Sequence, residues 1–434
     1  MNIYLLIIAL LLLNPAFLSA DTNVISKFKI KNGITIIHKQ TSSNQIIALK
    51  LFLKNGIAHE PKEKSGISQL MQSLLMKGTI NKDQSEISDL IEGMGGSISF
   101  SGNFDYLEGS LIIPKGEFKK ALELFGEIIQ LPKFDEASIQ KEKASQINGL
   151  ESRFDSIFTV ADDIFREELY GTHPYSRIEA GSKETINLIS KDDIEKIHKY
   201  FYQPENMLFV IVGDISKKKA KNYISKYFDG MKAINEKGLF DPVNEASPLI
   251  SSKNKIVESD FNQSYIMMGY PAPNVNSNDY TVLKVVNSLL GGRMSSYLFQ
   301  ELREKKGLAY EISCFYPSRL FGSRFVIYMG LDRKNIDLAK ENIKLILNNL
   351  KKSTLSNEEL QDIKRYIKGT YLMGHQTNSA QAWYLGWWEV LSKGFKYDSN
   401  YIKDIDKVSP KDVQKCAEKY LDNKLLVIEL HPKK

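Results

Sequence analysis

Apolar and polar residues alternate with a period of two over residues 26–37, and Asn32-Gly33 interrupts the alternation, which predicts a β-hairpin. A second strand pattern covers residues 46–54. The period then changes: Ile67, Leu70, Met71, Leu74 and Leu75 recur at helical spacing between Gly66 and Thr79, so one face of a helix is buried there. Gly95-Gly96 precedes two alternating strands, 97–102 and 106–113. Helical patterns follow at 118–131, 136–151, 157–169 and 191–201, and an apolar strand at 206–212 ends on Gly213-Asp214. Residues 233–255 mix Glu, Asn, Pro, Ser and Lys with scattered apolar positions, which is the composition of a linker.

Beyond that linker the pattern repeats. Ile189-Ser-Lys-Asp-Asp-Ile194, Tyr200-Phe201 and the strand from Asn206 correspond to Val408-Ser-Pro-Lys-Asp-Val413, Tyr420-Leu421 and the strand from Asn423. Likewise the order helix, strand, strand, helix from Leu90 is met again from Glu301. Between the two lies residues 290–310, LGGRMSSYLFQELREKKGLAY. Gly291 and Gly292 supply a bend, Ser295 or Ser296 is placed to cap a helix, and Met294, Leu298 and Leu302 form its apolar stripe with Phe299 beside it. The helix runs out in charged residues and stops at Gly307, and a strand pattern opens at Leu308. Arg303 and Tyr310 flank the Gly307 turn and are placed to face one crevice.

This stretch resembles the signature of the C-terminal half of pitrilysin/insulinase-type zinc peptidases, in which an Arg and a Tyr at this spacing contact the substrate backbone at the scissile bond. Tyr297 departs from it, since the family often has Arg there. The resemblance covers essentially the whole chain after residue 20. It implies an α+β fold of two tandem homologous domains, each a mostly antiparallel sheet covered by helices, joined as half-shells like those of mitochondrial processing peptidase. The expected organisation is a signal peptide at 1–20, an N-terminal domain at 21–232, a linker at 233–255 and a C-terminal domain at 256–434.

In zinc-bearing members the helix after Gly66 reads H-x-x-E-H, two ligands one turn apart with a Glu as general base. Here Gln69 and Ser73 stand at the ligand positions and Gln72 at the base. Aligned through Tyr170-Gly-Thr-His-Pro-Tyr175, which matches the family's Y-G-x-H-P-x, the third ligand falls at Asn148 or Gly149; Glu151 lies on a different helical face. Amides and a hydroxyl are poor zinc ligands, and an amide takes up no proton. The six histidines form no i, i+4 pair, and His59-Glu60 has no second His after it. No zinc or other cofactor is therefore expected in this chain.

Residues 3–13 form an uncharged apolar run, followed by Ser19-Ala20. That pattern is a secretory signal cleaved after Ala20, and it implies a periplasmic protein of a Gram-negative bacterium, a retained anchor being the alternative. A quarter of the residues are charged and the net charge is +6, from Lys scattered among Asp and Glu without a basic block; solubility accounts for it, and no nucleic-acid partner is expected. Cys314 and Cys416 sit in apolar patterns and are expected as buried thiols. The aromatic run 382–388 is expected as helical core, with a wall of a substrate groove as its functional alternative. No phosphate-binding loop, nucleophile elbow or C-x-x-C occurs.

Two functions are compatible with these features. In the first, the chain is the metal-free subunit of a heterodimeric zinc peptidase. It then supplies Arg303 and Tyr310 to a peptide or unfolded protein substrate, while an H-x-x-E-H-bearing paralogue holds the zinc. In the second, it is an inert peptide-binding or scaffold protein of the cell envelope.

Overall fold

The computed structural model describes residues 24–233, 242–247, 249–422 and 424–433, so the signal-like segment lies outside the described residues. The N-terminal half runs β1 (Ile25–Lys29), β2 (Thr35–Gln40), β3 (Ile46–Leu53), α1 (Ile67–Leu75), α2 (Gln84–Gly93), β4 (Ser97–Gly102), β5 (Leu107–Pro114), α3 (Phe118–Gln130), α4 (Glu136–Ser152), α5 (Ile157–Tyr170), α6 (Lys183–Leu188), α7 (Lys191–Phe201), β6 (Met207–Gly213) and α8 (Lys217–Phe228). The C-terminal half runs β7 (Lys253–Ser259), β8 (Ser264–Ala272), α9 (Tyr280–Leu290), a π-helical segment (Phe299–Lys305), β9 (Glu311–Phe315), β10 (Ser323–Leu331), α10 (Ile336–Lys352), α11 (Asn357–Met373), α12 (Asn378–Val390), α13 (Tyr397–Lys407), α14 (Pro410–Tyr420) and β11 (Leu426–Pro432).

The first sheet has the order β1-β2-β6-β3-β5-β4 and the second β7-β11-β8-β10-β9. Apart from β1 the two orders are the same, with one parallel pair in each, β2 with β6 and β7 with β11; all other pairs are antiparallel. The repeat in the sequence is thus a repeat of topology: an α+β fold of two homologous halves. Strand β7 begins at Lys253 and pairs with Leu426, so the last three residues of the stretch read as linker belong to the second sheet.

Each sheet is covered on one face by its own helices and on the other by a helix from the opposite half. Helix α5 packs on β8 and β11, and its structural counterpart α12 packs on β3 and β6. Because both faces of β6 are covered, all seven of its residues are buried, which is why it reads as an unbroken apolar run. The exchange depends on glycine. A Cβ on Gly386 of α12 would stand 2.0 Å from the Phe52 ring of β3, and one on Gly269 of β8 would stand 2.6 Å from the Phe165 ring of α5. Both phenylalanines are fully buried. The aromatic run 382–388 is accordingly core, with Trp388 buried and Trp383 donating from Nε1 to Glu108 Oε2 at 3.0 Å.

Three details of the 290–310 stretch differ from expectation. Neither Ser295 nor Ser296 caps a helix: the segment from Phe299 has no side-chain cap, and buried Ser296 Oγ has no partner. Leu298 and Leu302 are buried as expected, but Met294 is 77% exposed, outside the apolar stripe. Gly291 is needed for close approach, not for a special bend, since its φ is −145° and a Cβ there would meet Cys314 N at 2.3 Å. Cys314 and Cys416 are buried and unpaired.

Gly386→Ala tests the exchange. Alanine gains about 1 kcal/mol of helix propensity, but overpacking against an immobile ring costs typically about 1–3 kcal/mol. A net loss of up to about 2 kcal/mol in urea unfolding is expected, and a raised midpoint would contradict the packing account.

Candidate functional site

Helix α1 carries Gln69, Gln72 and Ser73, the residues that the resemblance aligns with the metal motif of zinc peptidases. Gln69 is exposed, while Gln72 is 3% exposed. The Gln72 amide donates to Ser101 O of β4 at 3.1 Å and accepts from the Tyr202 hydroxyl at 3.2 Å. A carboxylate at that place would lose the donor and face the Ser101 carbonyl, so the amide suits its pocket in a way the family's Glu would not. Ser73 Oγ donates back to Leu70 O at 2.9 Å, within its own helix. On α4, Asn148 is exposed and its carbonyl accepts from Ser152 Oγ; Gly149 is exposed too. Three amides, one of them (Gln72, at the base position) committed to the core, and a hydroxyl committed to a backbone carbonyl do not fit a zinc ion. Among the described residues no group of three or more His, Cys, Asp or Glu is arranged to hold a metal.

The residues that anchor α1 were not evident from sequence. Glu60 is 4% exposed and accepts from the backbone N–H groups of Gly66 at 2.9 Å and Ser68 at 2.7 Å, closing the start of the helix. Burial pushes its carboxyl up to about 7, against the pull of these hydrogen bonds and of Arg177. Arg177 donates to the Glu60 carbonyl at 2.7 Å. From α4, buried Gln146 donates to Gly66 O at 3.0 Å and Ala180 O at 2.8 Å, so α4 reaches α1 through Gln146 two positions before Asn148. A signal existed in hindsight: Lys143 and Gln146 share a face with Ile139, and all three are buried.

In the C-terminal half the Arg/Tyr pair is presented outward. Arg303 lies in the π-helical segment, exposed, its guanidinium 5.1 Å from the Phe299 ring. Such segments are rare and often fall at functional sites. Gly307 has φ +61° and turns the chain into β9, the edge strand of its sheet. Tyr310 immediately precedes β9, with its N–H on Gly330 O at 2.9 Å and its side chain 55% exposed. Its hydroxyl donates to Asp332 Oδ1 at 2.9 Å, which holds the phenol proton above its ordinary range.

The Tyr170–Tyr175 motif, used above only to align the chain, builds the junction between the halves. Tyr175 Oη donates to the buried Asp105 carboxylate and accepts from Phe321 N at 3.2 Å. Arg319 reaches Asn103 Oδ1 at 2.9 Å and lies over the rings of Phe104 and Tyr175. His173 accepts from Tyr175 N on Nδ1, which leaves Nε2–H to donate to Asn244 O in the connecting segment at 3.0 Å. A second bridge joins Arg324 of β10 to Asp162 of α5 at 2.8 Å.

Residues 35–172 match the insulinase domain of peptidase family M16, and residues 188–367 match the peptidase M16 inactive domain. The chain belongs to this pitrilysin/insulinase family. It is 24% identical over 395 residues to YmxG of Bacillus subtilis, described as an uncharacterized zinc protease, covering 91% of this chain and 95% of that one. Similarity to the zinc protease PqqE of Helicobacter pylori is 25% over 357 residues, covering 81% and 80%. The crystal structure of a protease from Helicobacter pylori superposes with a TM-score of 0.89 at 24% identity, over 94% of this chain and all of that one. A peptidase M16 inactive domain from Pseudomonas fluorescens does so at 0.86 and 20% identity, over 94% and 98%. These structures share the fold.

Glu60 gives a pH prediction. Its folded carboxyl titrates near 7 and its unfolded one near 4.5, so the folded state binds the extra proton between these values. Stability is therefore lost as pH rises from about 4.5 through 7, by an amount on the order of 3 kcal/mol. In urea unfolding at pH 5 and pH 8, Glu60→Gln is expected to remove most of that difference. An undiminished difference in the variant would contradict it.

Proposed function

We propose that the chain is the non-catalytic subunit of a heterodimeric periplasmic zinc peptidase. Its partner is a paralogue bearing H-x-x-E-H, which holds the zinc, and this chain supplies Arg303 and Tyr310 to a peptide or unfolded protein substrate. The observation that carries the reading is the contrast between the halves. At the metal positions of the first half, side chains are turned to structural uses, Gln72 inside the core and Ser73 on its own helix. At the corresponding edge of the second half, Arg303 and Tyr310 stand exposed beside β9.

The chemistry of the pair suits that role. As a peptide carbonyl is attacked at the partner's site, negative charge develops on its oxygen. Tyr310 offers a hydroxyl on a rigid ring, and Arg303 a permanently charged planar fork for carbonyl oxygens. Asp332 keeps the Tyr310 hydroxyl oriented until substrate takes its proton donor. The edge position of β9 leaves backbone groups without a strand partner on one side, where an extended substrate is able to lie.

A donor aimed at transition-state charge is worth ~3–4 kcal/mol. In the reconstituted heterodimer Tyr310→Phe is expected to slow turnover by roughly 100- to 1,000-fold, with subunit association unchanged by size-exclusion chromatography. Arg303→Lys retains charge without the fork and is expected to impair turnover as well. A complex carrying both Tyr310→Phe and Arg303→Ala at full activity would refute the role in trans and favour the scaffold reading.

A further inference from the structure

We infer that the face formed by α8, the start of α3 and the β1–β2 turn docks on the surface of an anionic lipid bilayer. The lysines concerned lie in three separate stretches of sequence, residues 30–33, 115–123 and 214–232, and the fold brings them together. Asn32 of the turn donates to Phe228 O at 2.8 Å and Met231 O at 3.3 Å, both at the end of α8. Phe118 of α3 packs on Tyr223 of α8, Tyr227 donates to Glu123 at 2.9 Å, and Lys115 pairs with Asp214.

These stretches contain ten lysines and four carboxylates, a net of +6. The whole chain carries 58 basic and 52 acidic residues, so the remainder balances 48 against 48 and this one face holds the entire net charge. Three of the four carboxylates are already engaged, Glu117 with Lys120 at 3.1 Å, Asp214 with Lys115 and Glu123 with the Tyr227 hydroxyl. Lys31, Lys119, Lys218, Lys221 and Lys232 are exposed and form no ion pair with a carboxylate among the described residues, and exposed Lys219 lies near Asp214, which Lys115 already holds. What reads along the chain as scattered solubilising charge is a concentrated patch on the folded surface.

Three features select a lipid surface as the occupant. All ten cations are Lys and none is Arg, so the face offers point charges on flexible stems and no planar forks for reading bases or single phosphates. Attraction of such charges to anionic headgroups needs no defined pocket and falls off within a Debye length, about 8 Å at physiological salt. All ten of these lysines are exposed, so the charge is presented to solvent over the whole face. Finally, α8 lies over β2, far across the sheet from β4 and α1, so docking leaves that edge open.

The test is sedimentation of the full chain with vesicles of phosphatidylcholine alone or with phosphatidylglycerol added, at low and high salt. The readout is the ratio of affinities for anionic over neutral vesicles, which is insensitive to any contribution of the apolar segment. The chain is expected to prefer anionic vesicles and to lose that preference as salt rises. The triple variant Lys218→Glu, Lys219→Glu, Lys221→Glu is expected to lower the ratio roughly 100-fold, from about fivefold for each lysine. An equal change of net charge elsewhere, Lys344→Glu, Lys352→Glu, Lys415→Glu, is expected to leave the ratio within a few fold. Should the first variant not fold, as judged by circular dichroism, the milder triple change to Gln reads the same ratio. An unchanged ratio in the α8 variant, an equal fall in the control, or no anionic preference beside salt-sensitive binding of an oligonucleotide would each overturn the proposal.

Discussion

Everything in this molecule depends on the reciprocal exchange of α5 and α12. Each helix lies on the sheet of the other half, and each contact is set by one glycine against one buried ring, Gly386 with Phe52 and Gly269 with Phe165. An exposed sheet face lined by residues such as Val210 and Val212 would be an association hazard. Covering it with the other half's helix removes that hazard and makes the two halves one folding unit. The polar junction then fixes their relative position: Tyr175, Asp105 and Arg319 on one side, Asp162 and Arg324 on the other. Removing one partner from such a buried cluster leaves an uncompensated charge, which costs several kcal/mol, so the junction holds geometry more than it adds net stability.

That frame explains why the two candidate sites have diverged. In the first half the helix aligned with the metal motif is anchored by Glu60 and Gln146, and of its aligned side chains Gln72 is turned into the core. The second half keeps an exposed Arg and Tyr on either side of a positive-φ glycine. The same frame places the lysine face of α8 across the first sheet from α1, where it has no bearing on either set.

Much of the fold was legible in the sequence because its elements are strongly periodic. Helices α3, α4, α5 and α7 begin and end within a residue or so of their patterns, and the repeat from Ile189 and Val408 matches α7–β6 to α14–β11. Less legible was whatever depends on contacts between distant residues. The swap is invisible along the chain, since Gly386 sits in a helical pattern that gives no sign of Phe52. The expected serine cap failed because the turn before Phe299 is closed by backbone bonds, Ser296 N to Arg293 O and Gln300 N to Ser296 O. Gln72 and Ser73 were readable as departures from the motif's base and ligand, but the role of the Gln72 amide needed Ser101 and Tyr202 to be located. Glu60 looked like half of a motif without a second His; its role depends on two backbone N–H groups that sequence does not display.

The central claim is a division of labour between two chains. The most direct measurement takes this chain alone, a candidate H-x-x-E-H-bearing paralogue encoded beside it alone, and their mixture, and determines zinc content and peptide hydrolysis for each. No stoichiometric zinc and no hydrolysis are expected from this chain alone, and activity in the mixture is expected at least ~100-fold above the sum of the separate chains. About one zinc per chain that survives mild chelation, together with hydrolysis by this chain alone, would contradict it.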